Sequence, residues 1–329
     1  MECFITQPVH EAAITFLNSH GIATRYASNP DMQTVIGEIG SADAVITRDL
    51  GLNRQAILAA PNLKIISCHG TGTNRIDVST AYERNVLVTN TPGANSQSVA
   101  ELTVGLMLAS ARTICEADQA VREGNWAFRY VAQGVELHGK TLGLIGFGAI
   151  AQKVATIAGK GLGMRCIAWS PSVPATIFAE HGVEQTHNLE DLLRTVDVVS
   201  IHRSGKTTDR PLINSTTLAL MRPRAILVNV GRGFSVESTD LARALEQGHL
   251  HGAALDVLPQ EPPAMDAPLL KVPSLILTPH LGGTTLEALK RLALICAHQV
   301  RDVLAGKKPD HLVLPLPHEH TRTHAGMPL

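Results

Sequence analysis

Thr141–Ala151, reading TLGLIGFGAIA, constrains this chain more than any other stretch. An apolar run suited to a buried strand enters the turn Gly146-Phe147-Gly148, and helix-forming residues follow. In such a strand–turn–helix, the first glycine permits the tight turn and the second lets the backbone approach a ligand. A third small residue, here Ala151, lets the helix pack on the strand. The helix expected from about Ala149 to Lys160 would aim its unsatisfied N–H groups and positive dipole end at an anion such as a pyrophosphate. A second apolar run, Met164–Trp169, completes a βαβ unit. The motif alone also fits a glycine turn without a ligand, so its weight comes from this context.

The same rhythm extends both ways. Before the motif, strand candidates at Cys3–Thr6, Thr24–Ala27, Ala44–Thr47, Leu63–Ser67 and Val86–Thr89 alternate with helical stretches near Glu11–Ser19, Met32–Ile39, Asn53–Ala59 and Val78–Arg84. After it, strands recur at Val183–Thr186, Val196–His202, Ala225–Val230, Ala253–Val257 and Leu275–Leu277, with helices near Leu189–Arg194, Ser215–Met221 and Ser238–Gln247. Alternation of this kind builds parallel sheets with helices on their faces, and 329 residues suffice for two such domains. Asn90–Asn95 is turn chemistry and a candidate domain crossing. A long helix then starts at a Ser98-x-x-Glu101 capping box and runs to about Arg112. Ser215 and Ser238 read as N-caps and Gly248 as a stop. Residues 115–138 carry Trp126, Phe128, Arg129 and Tyr130 with little periodicity, which suits a subunit arm or a surface loop packed on its own domain.

A net charge of −1 argues against nucleic acid or an anionic membrane surface as the main partner. No apolar run reaches the length of a membrane span. The residues after Met1 have no basic n-region and no apolar h-region, so no signal peptide is expected. Cys3, Cys68, Cys115, Cys166 and Cys296 lack zinc or disulfide spacing and read as reduced thiols of a cytoplasmic protein. The tail with His311, His318, His320 and His324 has prolines among its histidines and no ligand cage, so a mobile tail is expected and no metal.

Several turns carry candidate chemistry. Ser67–Asn74 follows a buried strand and is glycine-rich, so its N–H groups could line an anion site, or it could be a plain turn. Arg232, Glu261 and His280 each lie just beyond an apolar strand, where ligands bind in open α/β sheets. Singly, each has a bland alternative: a surface arginine, an acid before a proline turn, a hydrogen-bonded histidine. Together they form a coherent set. A histidine can take a proton from a hydroxyl as hydride leaves the same carbon. A carboxylate beside it fixes the ring and favours its charged form. An arginine can hold a substrate carboxylate through two hydrogen bonds and polarise a keto oxygen.

The stretches HGTGTNRID (69–77), TNTPGANSQSVAELTVGLML (89–108), HGKTLGLIGFGAIAQKVA (138–155), MRPRAILVNVGRG (221–233), GAALDVLPQEP (252–262) and TPHLGGTT (278–285) resemble, in order and spacing, the D-isomer-specific 2-hydroxyacid dehydrogenases. The resemblance implies two Rossmann-like or flavodoxin-like α/β domains with parallel sheets. A substrate domain of residues 1–96 plus 286–329 would carry an inserted NAD(P)-binding Rossmann domain of residues 97–285. The last helix, with a capping box at Thr284-x-x-Glu287, would return the chain to the first domain before Gly306, and two crossings would make a hinge.

Carried over by position, Arg232 resembles the substrate-binding arginine, Glu261 the histidine's partner and His280 the acid/base. Gly146, Gly148, Ala149 and Ile150 resemble the pyrophosphate contacts. Val230, Gly231, Arg232, Asp256, Gly282 and Gly283 resemble residues around the nicotinamide, and Thr71 and Gly72 the turn that holds the substrate carboxylate. Ser170 stands where the family's ribose-binding acid usually is. Arg203, after His202, stands where a small or apolar residue is frequent and would offer charge to a 2′-phosphate. NAD is favoured because no 2′-phosphate clamp follows Ser170, with NADP the alternative.

The activity implied is interconversion of a 2-keto acid and a D-2-hydroxy acid with NAD(P)H, glyoxylate or hydroxypyruvate first, by a homodimer formed through the cofactor domain. The alternatives are a phosphoglycerate dehydrogenase-like enzyme, for which Arg48, Arg75 and Arg129 are basic residues in suitable places, and a dinucleotide-sensing corepressor-like protein.

Overall fold

The computed structural model describes residues 1–203, 205 and 210–315. The chain divides into two compact units, Met1–Ala94 with the segment from Leu289 onward, and Asn95–Ala288.

In the first unit β1 (Glu2–Ile5), α1 (Glu11–Ser19), β2 (Ala23–Tyr26), α2 (Met32–Glu38), β3 (Ala44–Thr47), α3 (Arg54–Ala59), β4 (Ile65–Cys68), α4 (Val78–Glu83) and β5 (Leu87–Thr89) alternate along the chain. These strands are parallel in the flavodoxin-like order β2-β1-β3-β4-β5. β3 and β4 are buried along their whole length, as expected of strands covered on both faces. Side-chain caps set the helix starts: Asp31, Asn53 and Asp77 each accept a first-turn N–H at 2.9 Å.

The second unit holds α5 (Ser96–Ala111), α6 (Ile114–Arg122), β6 (Thr141–Ile145), α7 (Ala149–Leu162), β7 (Arg165–Trp169), α8 (Ala175–Glu180), β8 (Glu184–Thr186), α9 (Leu189–Thr195), β9 (Val198–Ile201), α10 (Ser215–Leu218), β10 (Ala225–Asn229), α11 (Ser238–Glu246), β11 (Leu250–Leu255) and β12 (Leu275–Leu277). Its parallel sheet has the order β12-β11-β10-β9-β6-β7-β8. The order reverses between β9 and β6, which places the glycine motif at the switch point. One apolar layer includes Met107, Val154 and Phe178 of α5, α7 and α8. The other includes Leu192, Leu218 and Leu241 of α9, α10 and α11. α12 (Leu286–Leu304) starts at the end of this unit, and its later turns pack Ala293, Cys296, Ala297 and Val300 into the first unit's core. β13 (Leu312–Val313) then pairs antiparallel with β5.

Several helix starts differ from the sequence expectation. α5 begins at Ser96, because the Asn95 carbonyl already accepts the Val99 N–H at 3.0 Å. Ser98 therefore sits inside the helix, and its hydroxyl meets Thr285 Oγ1 at 2.8 Å instead of capping. Asn214, not Ser215, caps α10 in a reciprocal box with Thr217. Glu237 precedes α11 with no side-chain cap, so Ser238 is the first helical residue. Thr285 accepts the Ala288 N–H of α12, while Thr284 donates to the Leu281 carbonyl at 2.6 Å. At α10 and α12 a neighbouring side chain, Asn214 or Thr285, takes the first-turn N–H groups, whereas α5 and α11 start with no side-chain cap.

α6 forms where little periodicity was expected, and α8 where no helix was. No single helix among the described residues is long and apolar enough to cross a membrane. Cys115 is exposed and the other four cysteines are buried, all as free thiols. The expectation for His318, His320 and His324 lies outside the described residues.

Candidate active site

β6 delivers the chain to Gly146 with a φ of 91°, a conformation glycine adopts at little cost. A Cβ there would stand 3.1 Å from the backbone of His202 and Arg203. The Arg203 backbone lies equally close on the other side, since a Cβ on Gly231 would come 3.0 Å from its carbonyl oxygen. Three loops, after β6, β9 and β10, thus close on one another with no room for side chains at these glycines. A Cβ at Gly148 would meet nothing within 4 Å, and this residue caps α7 with no side chain of its own. Exposed Ala149 and half-buried Ile150 follow, while Ala151 is fully buried against the sheet. An open helix N-terminus with no side-chain acceptor fits the pyrophosphate of a dinucleotide.

Ser170 directly follows β7 and is 8% exposed. Arg203 follows β9, on the opposite flank of β6. The two departures from the family pattern are therefore rooted on different sides of the glycine strand. His202 meets Ser200 at 2.8 Å through Nε2, and burial pushes its pKa down to about 3, so the ring is neutral.

Arg232, Glu261 and His280 follow β10, β11 and β12, which are adjacent in the sheet. His280 Nδ1 and Glu261 Oε2 are 3.0 Å apart. The other carboxylate oxygen, Oε1, accepts the Leu258 N–H at 3.1 Å and so fixes the acid's orientation. Half-buried Arg232 donates to the Gly231 carbonyl at 2.8 Å. Burial lowers its pKa, and the Glu261 charge opposes that shift. Glu261 thus meets His280 through a hydrogen bond and Arg232 through its charge.

Asp256 organises the His280 loop from below. It is 2% exposed and accepts from Thr278 Oγ1 at 2.6 Å, the Leu281 N–H at 2.7 Å and the Gly282 N–H at 2.9 Å. Its carbonyl also accepts the His280 N–H at 2.9 Å. These bonds hold His280 at a φ of 55°, sparsely populated for a residue with a Cβ. At Gly282 a Cβ would approach Asp256 Oδ2 to 3.0 Å, and at Gly283 it would approach Asn95 Nδ2 to 2.8 Å. Fully buried Asn229 does the same service for Arg232. Its Oδ1 accepts the Gly231 N–H at 3.0 Å and its Nδ2 donates to the Arg232 carbonyl at 2.9 Å. Val230, between them, is 7% exposed.

Thr71 and Gly72 lie in the first unit, on the turn after β4. Four successive carbonyls of this turn are bound. Gly70 O accepts the Thr91 N–H at 3.0 Å, Thr71 O accepts Asn90 Nδ2 at 2.8 Å, Gly72 O accepts Cys68 Sγ at 3.3 Å and Thr73 O accepts the Ile76 N–H at 2.9 Å. The amides of Thr71, Gly72 and Thr73 have no acceptor among the described residues, and Thr71 and Gly72 are exposed. Bound carbonyls and amides without acceptors are what an anion-binding turn requires.

The structure thus brings Arg232, Glu261 and His280 into one loop cluster, with Asp256 and Gly282 beneath. Sequence reasoning missed Asn229 and Thr278, and did not find the bracing role of Asp256. A lone polar residue ending an otherwise apolar buried strand, as in AILVN, is the signal that marks Asn229.

A family model described as D-isomer specific 2-hydroxyacid dehydrogenase, NAD binding domain, matches residues 104–282. A D-3-phosphoglycerate dehydrogenase of Methanocaldococcus jannaschii is 38% identical over 314 residues, covering 95% of this chain and 59% of that protein. The chain thus spans less than two thirds of the length of that relative. A glyoxylate reductase of Aeropyrum pernix is 38% identical over 320 residues, covering 94% of this chain and 95% of that one. The solved TT0316 protein of Thermus thermophilus has a TM-score of 0.88 and 31% identity, covering 95% of this chain and 100% of that one. The chain belongs to the D-isomer specific 2-hydroxyacid dehydrogenase family, with an NAD(P)-binding domain in its second unit.

Proposed function

We propose that this chain reduces a 2-keto acid to a D-2-hydroxy acid, and catalyses the reverse, with glyoxylate or hydroxypyruvate as first substrate. The observation that carries the proposal is the His280–Glu261 pair at 3.0 Å beside Arg232, on an NAD(P)-binding domain.

Gly146–Ile150 would hold the dinucleotide, which would supply a hydride to the keto carbon. Arg232 binds the substrate carboxylate and polarises the keto oxygen. Glu261 engages Nδ1, so His280 exchanges its proton through Nε2. As the carbonyl π pair moves onto oxygen, that oxygen takes the Nε2 proton and leaves a neutral imidazole beside the carboxylate. The Thr71–Thr73 turn of the first unit presents amides of the kind that hold a carboxylate.

NADH is the proposed reductant. Ser170 to Ala175 carries no cation to meet a 2′-phosphate, and Arg203 is rooted across β6. A homodimer in a reducing cytoplasm completes the reading. Ile114, Val121, Trp126, Tyr130 and Val131 are 51%, 56%, 67%, 79% and 71% exposed on α6 and the turn after it, an apolar arm suited to cover by a second copy.

A phosphorylated substrate is the second reading. Arg48 and Arg75 lie on adjoining loops of the first unit, with Arg75 donating to the Asp49 carbonyl at 3.0 Å and Arg48 to the Pro8 carbonyl at 2.9 Å. The deciding experiment follows NADH and NADPH oxidation with glyoxylate, hydroxypyruvate, pyruvate, phenylpyruvate and a phosphorylated 2-keto acid. Turnover of unphosphorylated acids supports the proposal, turnover of the phosphorylated acid alone supports the second reading, and dinucleotide binding without any turnover favours a sensor.

A further inference from the structure

We infer that Asn90 is a positioning residue for the substrate carboxylate, acting through the Thr71–Thr73 turn. The inference rests on the reading of that turn as the carboxylate's donor set.

A turn presents amides to a ligand only while its carbonyls stay turned away. Of the four bound carbonyls, Gly70 and Thr73 are held by backbone N–H groups and Gly72 by a thiol, a weak donor. Thr71 is held by a side-chain amide, Asn90 Nδ2, at 2.8 Å. That carbonyl belongs to the peptide unit whose N–H is Gly72's, so its orientation sets where the Gly72 amide points. Without the bond, this peptide can rotate and exchange its donor for an acceptor, which repels an anion.

Asn90 is itself fixed from behind. Its carbonyl accepts Gln299 Nε2 at 2.9 Å. Gln299 is 4% exposed, and its Oε1 accepts Ser67 Oγ at 2.7 Å and Thr89 Oγ1 at 2.8 Å. These two hydroxyls determine which end of the buried amide faces Asn90. The Asn90 N–H donates to the His311 carbonyl at 3.3 Å, beside β13. α12 and the strand after it therefore brace the turn through one side chain, although none of these residues lies within the motif HGTGTNRID.

The test compares Asn90→Ala and Asn90→Asp with the wild-type chain in steady-state reduction, alongside thermal melting and NADH binding. Asn90→Asp keeps the shape and loses the donor. KM for the keto acid rises about five- to tenfold in Asn90→Ala, the scale of one hydrogen bond, and further in Asn90→Asp, whose charge also opposes the carboxylate. In both, kcat and the Kd for NADH stay within twofold. Asn90→Gln, which restores an amide donor, recovers part of the loss. Unchanged KM in a folded variant overturns the inference while leaving the proposed reaction intact, as does an equal fall in kcat and rise in KM that tracks lost stability. If Asn90→Ala fails to fold, the isosteric Asn90→Asp carries the comparison. Absence of keto-acid turnover by the wild-type chain overturns the underlying reading, and the inference with it.

Discussion

Nδ1 of His280 lies 3.0 Å from Oε2 of Glu261, although the two residues follow different strands, β12 and β11. A carboxylate at that distance orients the ring and favours its protonated form. His280→Ala, or Arg232→Ala, should therefore lower kcat/KM by about 10²-fold or more. Glu261→Gln removes the charge and leaves one acceptor where the Leu258 N–H and the ring each use one, so the alkaline fall of the reduction rate should move to lower pH. A pH profile of kcat/KM checks the second outcome, and near-normal turnover by either alanine variant would sink the assignment.

Asp256 holds the backbone from which His280 projects. Asp256→Ala leaves the Leu281 and Gly282 N–H groups and the Thr278 hydroxyl without their acceptor and releases the constraint at His280. Stability should fall by about 2–4 kcal/mol. Urea unfolding measures this, and kcat should fall with it at temperatures where the variant remains folded.

Cofactor preference should follow the end of β7. With no acid and no cation in that turn, NADH should exceed NADPH in kcat/KM by about tenfold, a modest ratio for want of a dedicated ribose acid. Ser170→Asp should widen it, since a carboxylate both accepts from a ribose 2′-hydroxyl and repels a 2′-phosphate. Equal use of both cofactors by the wild-type chain would contradict this.

Acid should destabilise the first unit through His69. This residue is 7% exposed, and burial, aided by the Arg48 charge, pushes its pKa down to about 4. The unfolded chain binds this proton near pH 6.5 and the folded chain does not, so stability is lost as pH falls from there toward 4. At pH 5 the loss is about 2 kcal/mol. His69→Gln cannot take up the proton and should show a smaller fall in Tm between pH 7 and pH 5 than the wild-type chain.

Strand and helix order was legible because each buried strand is a short apolar run and each crossover carries its own turn chemistry. Ala44–Thr47 and Leu275–Leu277 appear as expected. Helix starts were less legible. Asn214 and Ser215 are both competent caps and only Asn214 accepts the first-turn N–H groups, while neither Asn95 nor Ser98 caps α5 through its side chain. α6 carries Ile114 and Val121 at helical spacing on an exposed face, so they take no part in the core of its own unit.

The sequence by itself determined the local chemistry: glycines at the β6 turn, where a Cβ would strike backbone, and an arginine, an acid and a histidine each placed just beyond a strand. Tertiary structure decided which of these groups meet. Strands β10, β11 and β12 are neighbours only through their pairing, and that brings Glu261 to His280 and its charge to Arg232. The bracing by Asp256 and Asn90 was likewise decided in three dimensions, because each side chain takes its role from backbone groups that the fold carries to it from about twenty residues or more along the chain, whereas Asn229 braces its own turn locally.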